Sequence, residues 1–170
     1  IASCLVGSEM CIRDRANASA LRERMAARGH ALHCTECDVS SPAAVDRFAE
    51  WATQRLGQVD IVVNSAGVGG GDRPFESTDE RDWDLTVGVN LRGTMLVTRA
   101  FFAGMTSRQW GRVINVASQL AYKGAPGLAH YCAAKAGVVG FTRALAYEGA
   151  PRGVLVLSLI HISEPTRQEA

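Results

Sequence analysis

The chain has 170 residues, 47% of them hydrophobic and 21% charged, so it can bury a core and is not a disordered chain. Its 18 basic and 17 acidic residues leave a net charge of +1, which argues against a nucleic-acid or anionic-membrane partner. The sequence contains no apolar run of about 18 residues, so it predicts no membrane span.

The two ends of the sequence differ from its middle. Residues 1–15 show neither a helical nor a strand period, and residues 157–170 run into a polar tail. The pieces CLVGSEMCIRDR and LSLIHISEPTR resemble translated sequencing-adapter read-through. We therefore expect both segments to be non-native and leave them out of the fold reasoning. Residues 16–156 remain as one partial domain.

Helix and strand patterns alternate in the first half of this middle segment. Residues 19–28 predict a short helix that a glycine ends, and residues 30–37 predict a strand. Ser41 and Pro42 mark the start of an amphipathic helix that Gly57 closes. The β-branched run at residues 60–64 is typical of a strand buried on both faces.

The same alternation continues in the second half. Residues 79–105 and 129–148 predict long helices, whereas residues 112–118 and 153–156 predict strands. Strands that alternate with helices of this length indicate an α/β fold, a doubly wound parallel sheet of Rossmann-like type. Because 141 residues are few for such a sheet, we expect it to be incomplete at both ends. Ligands of such sheets bind beyond the carboxyl ends of the strands.

Three side chains near the end of the strand at residues 112–118 suggest proton chemistry. Ser118 ends this strand, and Tyr131 and Lys135 follow at helical spacing i and i+4, which places them on one helix face. A phenol is a poor base at neutral pH, but a neighbouring ammonium favours its phenolate form. The phenol can then exchange a proton with a substrate hydroxyl that a serine orients. This arrangement suits the interconversion of a carbonyl and an alcohol by a hydride-carrying cofactor.

Four sequence motifs resemble those of the short-chain dehydrogenase/reductase family. They are NSAG at 64–67, VNLRG at 89–93, RVINVAS at 112–118 and YCAAK at 131–135. The resemblance implies an NAD- or NADP-dependent oxidoreductase that interconverts a secondary alcohol and a ketone. Residues 118–146 are similar to the 3-oxoacyl-(acyl carrier protein) reductase and the polyol or sugar dehydrogenase branches, between which the sequence does not choose.

The resemblance also implies roles for individual residues. Tyr131 would be the acid/base, Ser118 would orient the substrate oxygen, and Asn90 would keep a water in a proton relay. Lys135 would favour the phenolate and hold the nicotinamide ribose. The cofactor would contact seven residues, which are Asp38, Val39, Asn64, Ala66, Gly67, Tyr131 and Lys135.

The sequence departs from the family pattern at two places. The glycine-rich turn that would bind the cofactor phosphates is absent before residue 16, and no Pro-Gly turn follows residue 156. We therefore expect the 170-residue chain to be inactive and its parent protein to be active on a small carbonyl or alcohol substrate. The cysteines predict reduced thiols and a cytoplasmic protein, and helices rich in small residues fit a homo-oligomer, in family habit a tetramer.

Two alternatives remain open. The chain could be a catalytically inactive nucleotide-binding or regulatory module of the same fold. It could also be a zinc-binding module that uses His30, His33, Cys34 and Cys37. Residues three apart in an extended strand point to opposite faces, so the two thiols would diverge, and we expect no metal site.

Overall fold

The computed structural model describes residues 22–69 and 73–160. Residues 1–15, predicted to be non-native, and residues 161–170 of the predicted tail lie outside these ranges. Of the helix expected at residues 19–28, residues 22–26 are helical, and Gly29 ends it at a φ of 76°. Within the described ranges no helix is long and apolar enough to cross a membrane.

Helix α1, Pro42–Leu56, forms as its sequence predicts. The hydroxyl of Ser41 accepts a hydrogen bond from the backbone N–H of Ala44, and Pro42 occupies the first turn. Gly57 closes the helix at a φ of 73°, a conformation that favours glycine. The buried face consists of Val45, Phe48 and Ala52.

Three parallel strands form the sheet, in the spatial order β1, β2, β3. Strand β1 is Ile61–Asn64, β2 is Gly111–Val116 and β3 is Val154–Leu159. Asn64 pairs with Asn115 in the register of β1 and β2. The expected parallel α/β sheet is confirmed. Strand β3 also includes residues 157–159, which the sequence analysis assigned to the terminal segment.

The helix expected at residues 79–105 forms as two α-helices joined by a π-helical segment. Helix α2, Glu80–Val87, passes into a π-helical segment, Gly88–Gly93, and then into α3, Thr94–Ser107. Helix α4 is Leu120–Lys123, and α5 is Ala129–Gly149, within one residue of its predicted end. Single 3-10 turns occur at Phe75–Ser77 and Ala150–Arg152.

Helices cover one face of the sheet. Val62, Val113 and Val156 point to this face and pack in one cluster with Phe101 and Met105 of α3. Helix α5 packs against β3, and α1 packs against α3. The alternate strand residues are partly or largely exposed on the opposite face, most clearly Ile61, Val63, Leu155, Leu157 and Leu159. The helix layer is therefore what places the site residues above the strand ends.

The strand predicted at residues 30–37 is wrong, because the segment forms no strand ladder. Within it Leu32 and Cys37 are buried, whereas Ala31 and Glu36 are exposed. A strand needs a hydrogen-bonding neighbour, and the three described strands pair only with one another.

Candidate active site

Ser118 lies at the point where the chain leaves β2 and turns into α4. Ala117 is buried, and its N–H donates a hydrogen bond of 2.8 Å to the carbonyl of Leu159 at the end of β3. The Ser118 hydroxyl oxygen accepts a hydrogen bond of 3.2 Å from the N–H of Leu120. This local bond satisfies a donor in the first turn of α4 and holds a half-buried Ser118 at the carboxyl end of the sheet.

Tyr131 and Lys135 lie in the first two turns of α5 and face the same strand end. The Lys135 Nζ lies 5.8 Å from the centroid of the Tyr131 ring. It also donates a hydrogen bond of 2.8 Å to the carbonyl oxygen of Val116, the last residue of β2. The two side chains therefore meet at the end of the strand that leads to Ser118.

Lys135 is a buried cation. Its side chain is 6% exposed, and burial lowers the pKa of its ammonium from the usual value of 10.5. In the described part of the chain no carboxylate lies within ion-pair distance of it. The ammonium is therefore held by the backbone carbonyl of Val116 beside the phenol ring, and its positive charge is only weakly screened by solvent.

Asn90 sits in the π-helical segment and is fully buried. Its Nδ2 donates to the carbonyl of Val68 at 2.8 Å, and its Oδ1 accepts from the N–H of Val68 at 3.1 Å. One side-chain amide thus pairs with both polar groups of one loop residue, as a neighbouring strand would. The extra residue of the π-helical turn rotates Asn90 relative to a regular α-helix, and its amide faces Val68. Such π-helical turns are frequent at functional sites.

Gly67 brings the loop after β1 close to the other site residues. A Cβ added at Gly67 would lie 2.6 Å from Asn90 Oδ1 and 3.7 Å from Lys135 Nζ. Only a residue without a side chain fits this approach. Asn90, Gly67, Lys135 and Tyr131 therefore form one group at the carboxyl end of the sheet, and Ser118 borders it through β2. Ala66, before Gly67, is half-buried.

The other residues expected to contact a cofactor have different surroundings. Asp38 is exposed, and its Oδ1 accepts hydrogen bonds from the N–H and the hydroxyl of Ser40 at 2.9 and 2.7 Å. The Val39 side chain belongs to the core, where a Cβ on Gly93 would lie 2.7 Å from its Cγ2. Asn64 directs its side chain into the fold rather than outward, because its Nδ2 donates to Thr98 and to Asn115, each at 2.8 Å.

Polar residues that the sequence analysis did not single out lie directly beneath this group. Thr98, Asn115 and Thr142 are buried and hydrogen-bonded to Asn64 or to one another. The signal in the sequence was Asn115, a polar residue inside the otherwise apolar strand run RVINV. His130, next to Tyr131, is 1% exposed, and neither ring nitrogen has a hydrogen-bond partner among the described residues.

The zinc hypothesis receives no geometric support. Cys34 and Cys37 follow His30 and His33 in a segment without a turn between the two thiols. Over residues 22–69 and 73–160 the structure brings together no set of three or more His, Cys, Asp or Glu side chains that could hold a metal ion. Four protein ligands are the usual number for structural zinc.

The chain matches known proteins over most of its length. The family model described as short chain dehydrogenase matches residues 6–161. An acetoacetyl-CoA reductase of Allochromatium vinosum is 38% identical over 153 residues, which cover 90% of this chain and 62% of that protein. A 3-oxoacyl-[acyl-carrier-protein] reductase of Aquifex aeolicus is 36% identical over 140 residues, which cover 82% and 56%. The chain thus spans about three fifths of the length of these relatives.

Two solved structures share the fold. A metagenomic short-chain oxidoreductase in complex with NADP has a TM-score of 0.84 and 28% identity, covering 95% of this chain and 72% of that one. An NAD+-bound xylitol dehydrogenase has a TM-score of 0.83 and 25% identity, covering 92% and 58%. The helices and strands described above therefore belong to an architecture that binds nicotinamide dinucleotides in both of these proteins.

Proposed function

Because this chain belongs to the short-chain dehydrogenase family, we propose that the protein that carries it is an NAD(P)-dependent oxidoreductase interconverting a secondary alcohol and a ketone. One observation carries the proposal. The buried ammonium of Lys135 lies beside the Tyr131 ring at the strand end that leads to Ser118. A proton donor, a fixed cation and an orienting hydroxyl are the groups that a carbonyl reduction requires from the protein.

Each of these residues has a task that follows from its chemistry. In the reductive direction the Tyr131 hydroxyl donates its proton to the carbonyl oxygen of the substrate. The Lys135 charge stabilises the phenolate that this proton leaves behind. Ser118 donates a hydrogen bond to the same substrate oxygen while its own oxygen accepts from Leu120. In the oxidative direction the phenolate takes the proton back from the alcohol.

Asn90 and Gly67 keep the loop after β1 in place. Both polar atoms of the Asn90 amide are engaged by Val68, so this side chain fixes the loop instead of reaching the substrate. The absence of a Cβ at Gly67 lets the loop backbone approach Asn90 and Lys135. The water in a proton relay that the family resemblance assigns to Asn90 stays a prediction.

The group at the carboxyl end of the sheet fits a nicotinamide cofactor. Lys135 would hold a ribose hydroxyl with its ammonium, and Gly67, without a side chain, would let the cofactor approach the backbone at the edge of the sheet where such ligands bind. When bound, this cofactor supplies the hydride. Both NADP and NAD+ occur in the similar solved structures, so the proposal covers both. The further contacts expected of Asp38, Val39, Asn64 and Ala66 stay predictions.

We propose 3-oxoacyl thioesters as the substrate class to assay first. Two similar proteins are an acetoacetyl-CoA reductase and a 3-oxoacyl-[acyl-carrier-protein] reductase, each more than 35% identical to this chain. The xylitol dehydrogenase is less similar, at 25% identity, and makes polyols the second class. Both classes carry the secondary alcohol or ketone that Tyr131 can protonate or deprotonate.

A tyrosine substitution tests the proposed function. In the longest form of the protein that its gene encodes, oxidation of NADPH or NADH is followed with acetoacetyl-CoA and with a panel of ketones. Tyr131→Phe should lower kcat/KM by roughly 1000-fold, because it removes the transferable proton. Tyr147→Phe is the matched control, since Tyr147 lies on the same helix and is 83% exposed.

The outcomes of this assay separate the alternatives. Wild-type activity that survives Tyr131→Phe would contradict the assigned acid/base. Binding of NADPH or NADH without turnover of any tested carbonyl would favour the nucleotide-binding module. Turnover that is lost in Tyr131→Phe and retained in Tyr147→Phe would establish the proposed chemistry.

We also propose that the protein is a cytoplasmic homo-oligomer. Ala133 and Ala136 are small, exposed residues of α5, which permit close approach of a second helix. Cys34 and Cys132 are free thiols in the described part of the chain, which fits a reducing compartment. Light scattering should give a mass that is a multiple of the monomer mass, and a monomer at micromolar concentration would contradict this.

A further inference from the structure

Four buried polar side chains form a continuous hydrogen-bonded chain beneath the proposed active site. We call it the amide–hydroxyl chain, and its members are Thr98, Asn64, Asn115 and Thr142. The successive hydrogen bonds are 2.8, 2.8 and 2.9 Å long, and no member is more than 8% exposed. Buried polar groups are costly unless they are paired, and these are paired throughout.

The hydrogen bonds of this chain run from the sheet toward the helices. The Asn64 Nδ2 uses one hydrogen for Thr98 Oγ1 and the other for Asn115 Oδ1. The Asn115 Nδ2 donates to Thr142 Oγ1, and the Thr142 hydroxyl donates its own proton to the carbonyl of Val138 at 2.7 Å. Reversing one amide alone would place donor against donor or acceptor against acceptor between Asn64 and Asn115, so the two amides are coupled.

The amide–hydroxyl chain joins α5 to the sheet. Asn64 and Asn115 are register partners on β1 and β2, whereas Thr142 is on α5, seven residues beyond Lys135. Seven residues are about two helical turns, so Thr142 and Lys135 lie on nearly the same face. Lys135 binds the carbonyl of Val116, the neighbour of Asn115. Helix α5 is thus tied to adjacent residues of β2 at two levels.

Between Lys135 and Thr142, helix α5 is held by apolar packing. The residues that α5 buries between its two polar ties are the β-branched Val138 and Val139. Such contacts are non-directional, so sliding along the helix axis exchanges one apolar contact for another. A hydrogen bond from a strand amide to a helix hydroxyl has one favourable distance and angle, and therefore resists sliding.

We propose that Asn115 and Thr142 are positioning residues whose hydrogen bond sets the axial position of α5 against β2, and with it the placement of Tyr131 and Lys135 relative to Ser118. The catalytic part of this inference rests on the proposed function. The structural part does not, because the position of Lys135 is measurable without turnover.

Thr98 provides a matched control for Thr142. Both threonines are buried, at 2% and 4% exposed, and each accepts a hydrogen bond from an asparagine amide of the same chain. Thr98 lies on α3 and Thr142 on α5. Replacing either threonine by valine removes one hydroxyl at nearly constant volume. The two variants differ only in which helix loses its hydrogen bond to the sheet, α3 for Thr98→Val and α5 for Thr142→Val. Thr142→Ser keeps the hydroxyl and is the conservative variant.

The first test is kinetic. Thr142→Val should lower kcat by roughly 10- to 100-fold while KM for the carbonyl changes about twofold or less, because misplaced catalytic groups slow the chemical step. Thr98→Val should keep kcat within about threefold of wild type. Thr142→Ser should restore most of the rate. Equal losses in Thr142→Val and Thr98→Val would overturn the proposal, as would a loss confined to KM.

The second test follows Lys135 directly in the 170-residue chain. The sequence contains two lysines, Lys123 and Lys135, so a chain labelled with carbon-13 at the lysine ε position gives two assignable signals. Burial lowers the pKa of Lys135, whereas Lys123 at the end of α4 is exposed. Thr142→Val should raise the titration midpoint of Lys135 by about half a pH unit or more, because a displaced ammonium gains water. Thr98→Val and Thr142→Ser should leave it unchanged.

These readouts keep the two levels of inference apart. If the wild-type protein turns over no substrate, the proposed function fails and the lysine titration still decides whether Thr142 positions α5. An unchanged Lys135 midpoint in a folded Thr142→Val chain overturns the positioning role. Should that variant unfold, the titration is repeated in a stabilising osmolyte. If it remains unfolded there while Thr98→Val folds, Thr142 serves general stability and the proposal fails.

Discussion

The amino and carboxyl ends of the sheet are built differently. At the amino end the chain is packed backbone against backbone. A methyl group on Gly153 would overlap the carbonyl of Gln109, and a Cβ on Gly111 would lie 2.6 Å from the Met105 side chain. At the carboxyl end polar groups are buried instead, among them the ammonium of Lys135 and the amide of Asn90. Close packing at the amino end stabilises the fold, whereas the buried charge and amide at the carboxyl end are the groups proposed to act in catalysis.

Gly153→Ala should have the largest effect on stability. Gly153 has a φ of 71°, which disfavours any side chain, and its neighbour Gln109 also has a positive φ, at 53°. Overlap and strain together should lower the free energy of unfolding by about 3 kcal/mol or more, measured by urea denaturation. Gly140→Ala is the control, because no heavy atom lies within 4 Å of a Cβ there.

The control should move the opposite way. Gly140 lies inside α5, where alanine is favoured over glycine, so Gly140→Ala should raise the free energy of unfolding by about 0.5 to 1 kcal/mol. If Gly153→Ala were as stable as wild type, the amino end would not be the close-packed region that the structure shows. The two ends of the sheet would then not differ in how they contribute to stability.

Gly67→Ala is the corresponding change at the carboxyl end, and it should cost activity more than stability. The added Cβ would lie 2.6 Å from Asn90 Oδ1, so that side chain must move and release Val68. We expect kcat/KM to fall roughly 10- to 100-fold, because small displacements of a site are costly. The free energy of unfolding should fall by only about 1 to 2 kcal/mol.

Gly69→Ala controls for the loop itself. Gly69 is exposed in the same loop, and a Cβ there meets nothing within 4 Å. Its activity should match wild type. Gly67→Ala should lose activity with little loss of stability, whereas Gly153→Ala should lose stability. If Gly67→Ala instead loses as much stability as Gly153→Ala, the two ends of the sheet do not differ in the proposed way.

Much of this architecture was predictable from sequence. Helix α1 was located by its Ser41 cap and by Gly57, and β1, β2 and α5 by runs whose period leaves one interpretation. These signals are local, since they arise from residues within a turn or a strand of one another. The sequence also named Ser118 from its strand end, Tyr131 and Lys135 from their helical spacing, and Asn90 from the family resemblance of VNLRG. Their roles stay predictions.

Features that depend on distant neighbours were not predictable. The π-helical turn at Gly88–Gly93 interrupts a stretch that the sequence predicted as one continuous helix. The Asn64–Asn115 contact follows from strand register, which two short apolar runs do not define. The strand predicted at residues 30–37 failed for the same reason, because pairing is a property of two segments.

Lys135→Met should give the smallest change in the free energy of unfolding, but its sign is the most informative. The substitution should abolish activity and yet stabilise the chain. Burial lowers the pKa of Lys135, because the ammonium loses hydration when the chain folds. At neutral pH this loss destabilises the folded chain, since the ammonium is fully hydrated in the unfolded chain. Methionine fills a similar volume without that charge, and we expect the free energy of unfolding to rise by about 1 kcal/mol at pH 7. Urea denaturation of both chains measures the difference, with Lys123→Met on exposed α4 as the control.

The pH dependence of this difference identifies its cause. Because the folded chain has the lower pKa for Lys135, the unfolded chain binds more protons between that pKa and 10.5, and wild-type stability rises with pH across this window. The Lys135→Met chain lacks this contribution while all other titrating groups are shared. The gap between the two chains should therefore narrow as the pH approaches 10.5. A Lys135→Met chain that is less stable at pH 7 would mean that the hydrogen bond to Val116 outweighs the cost of burial. The carboxyl end would then be stabilised by its catalytic cation.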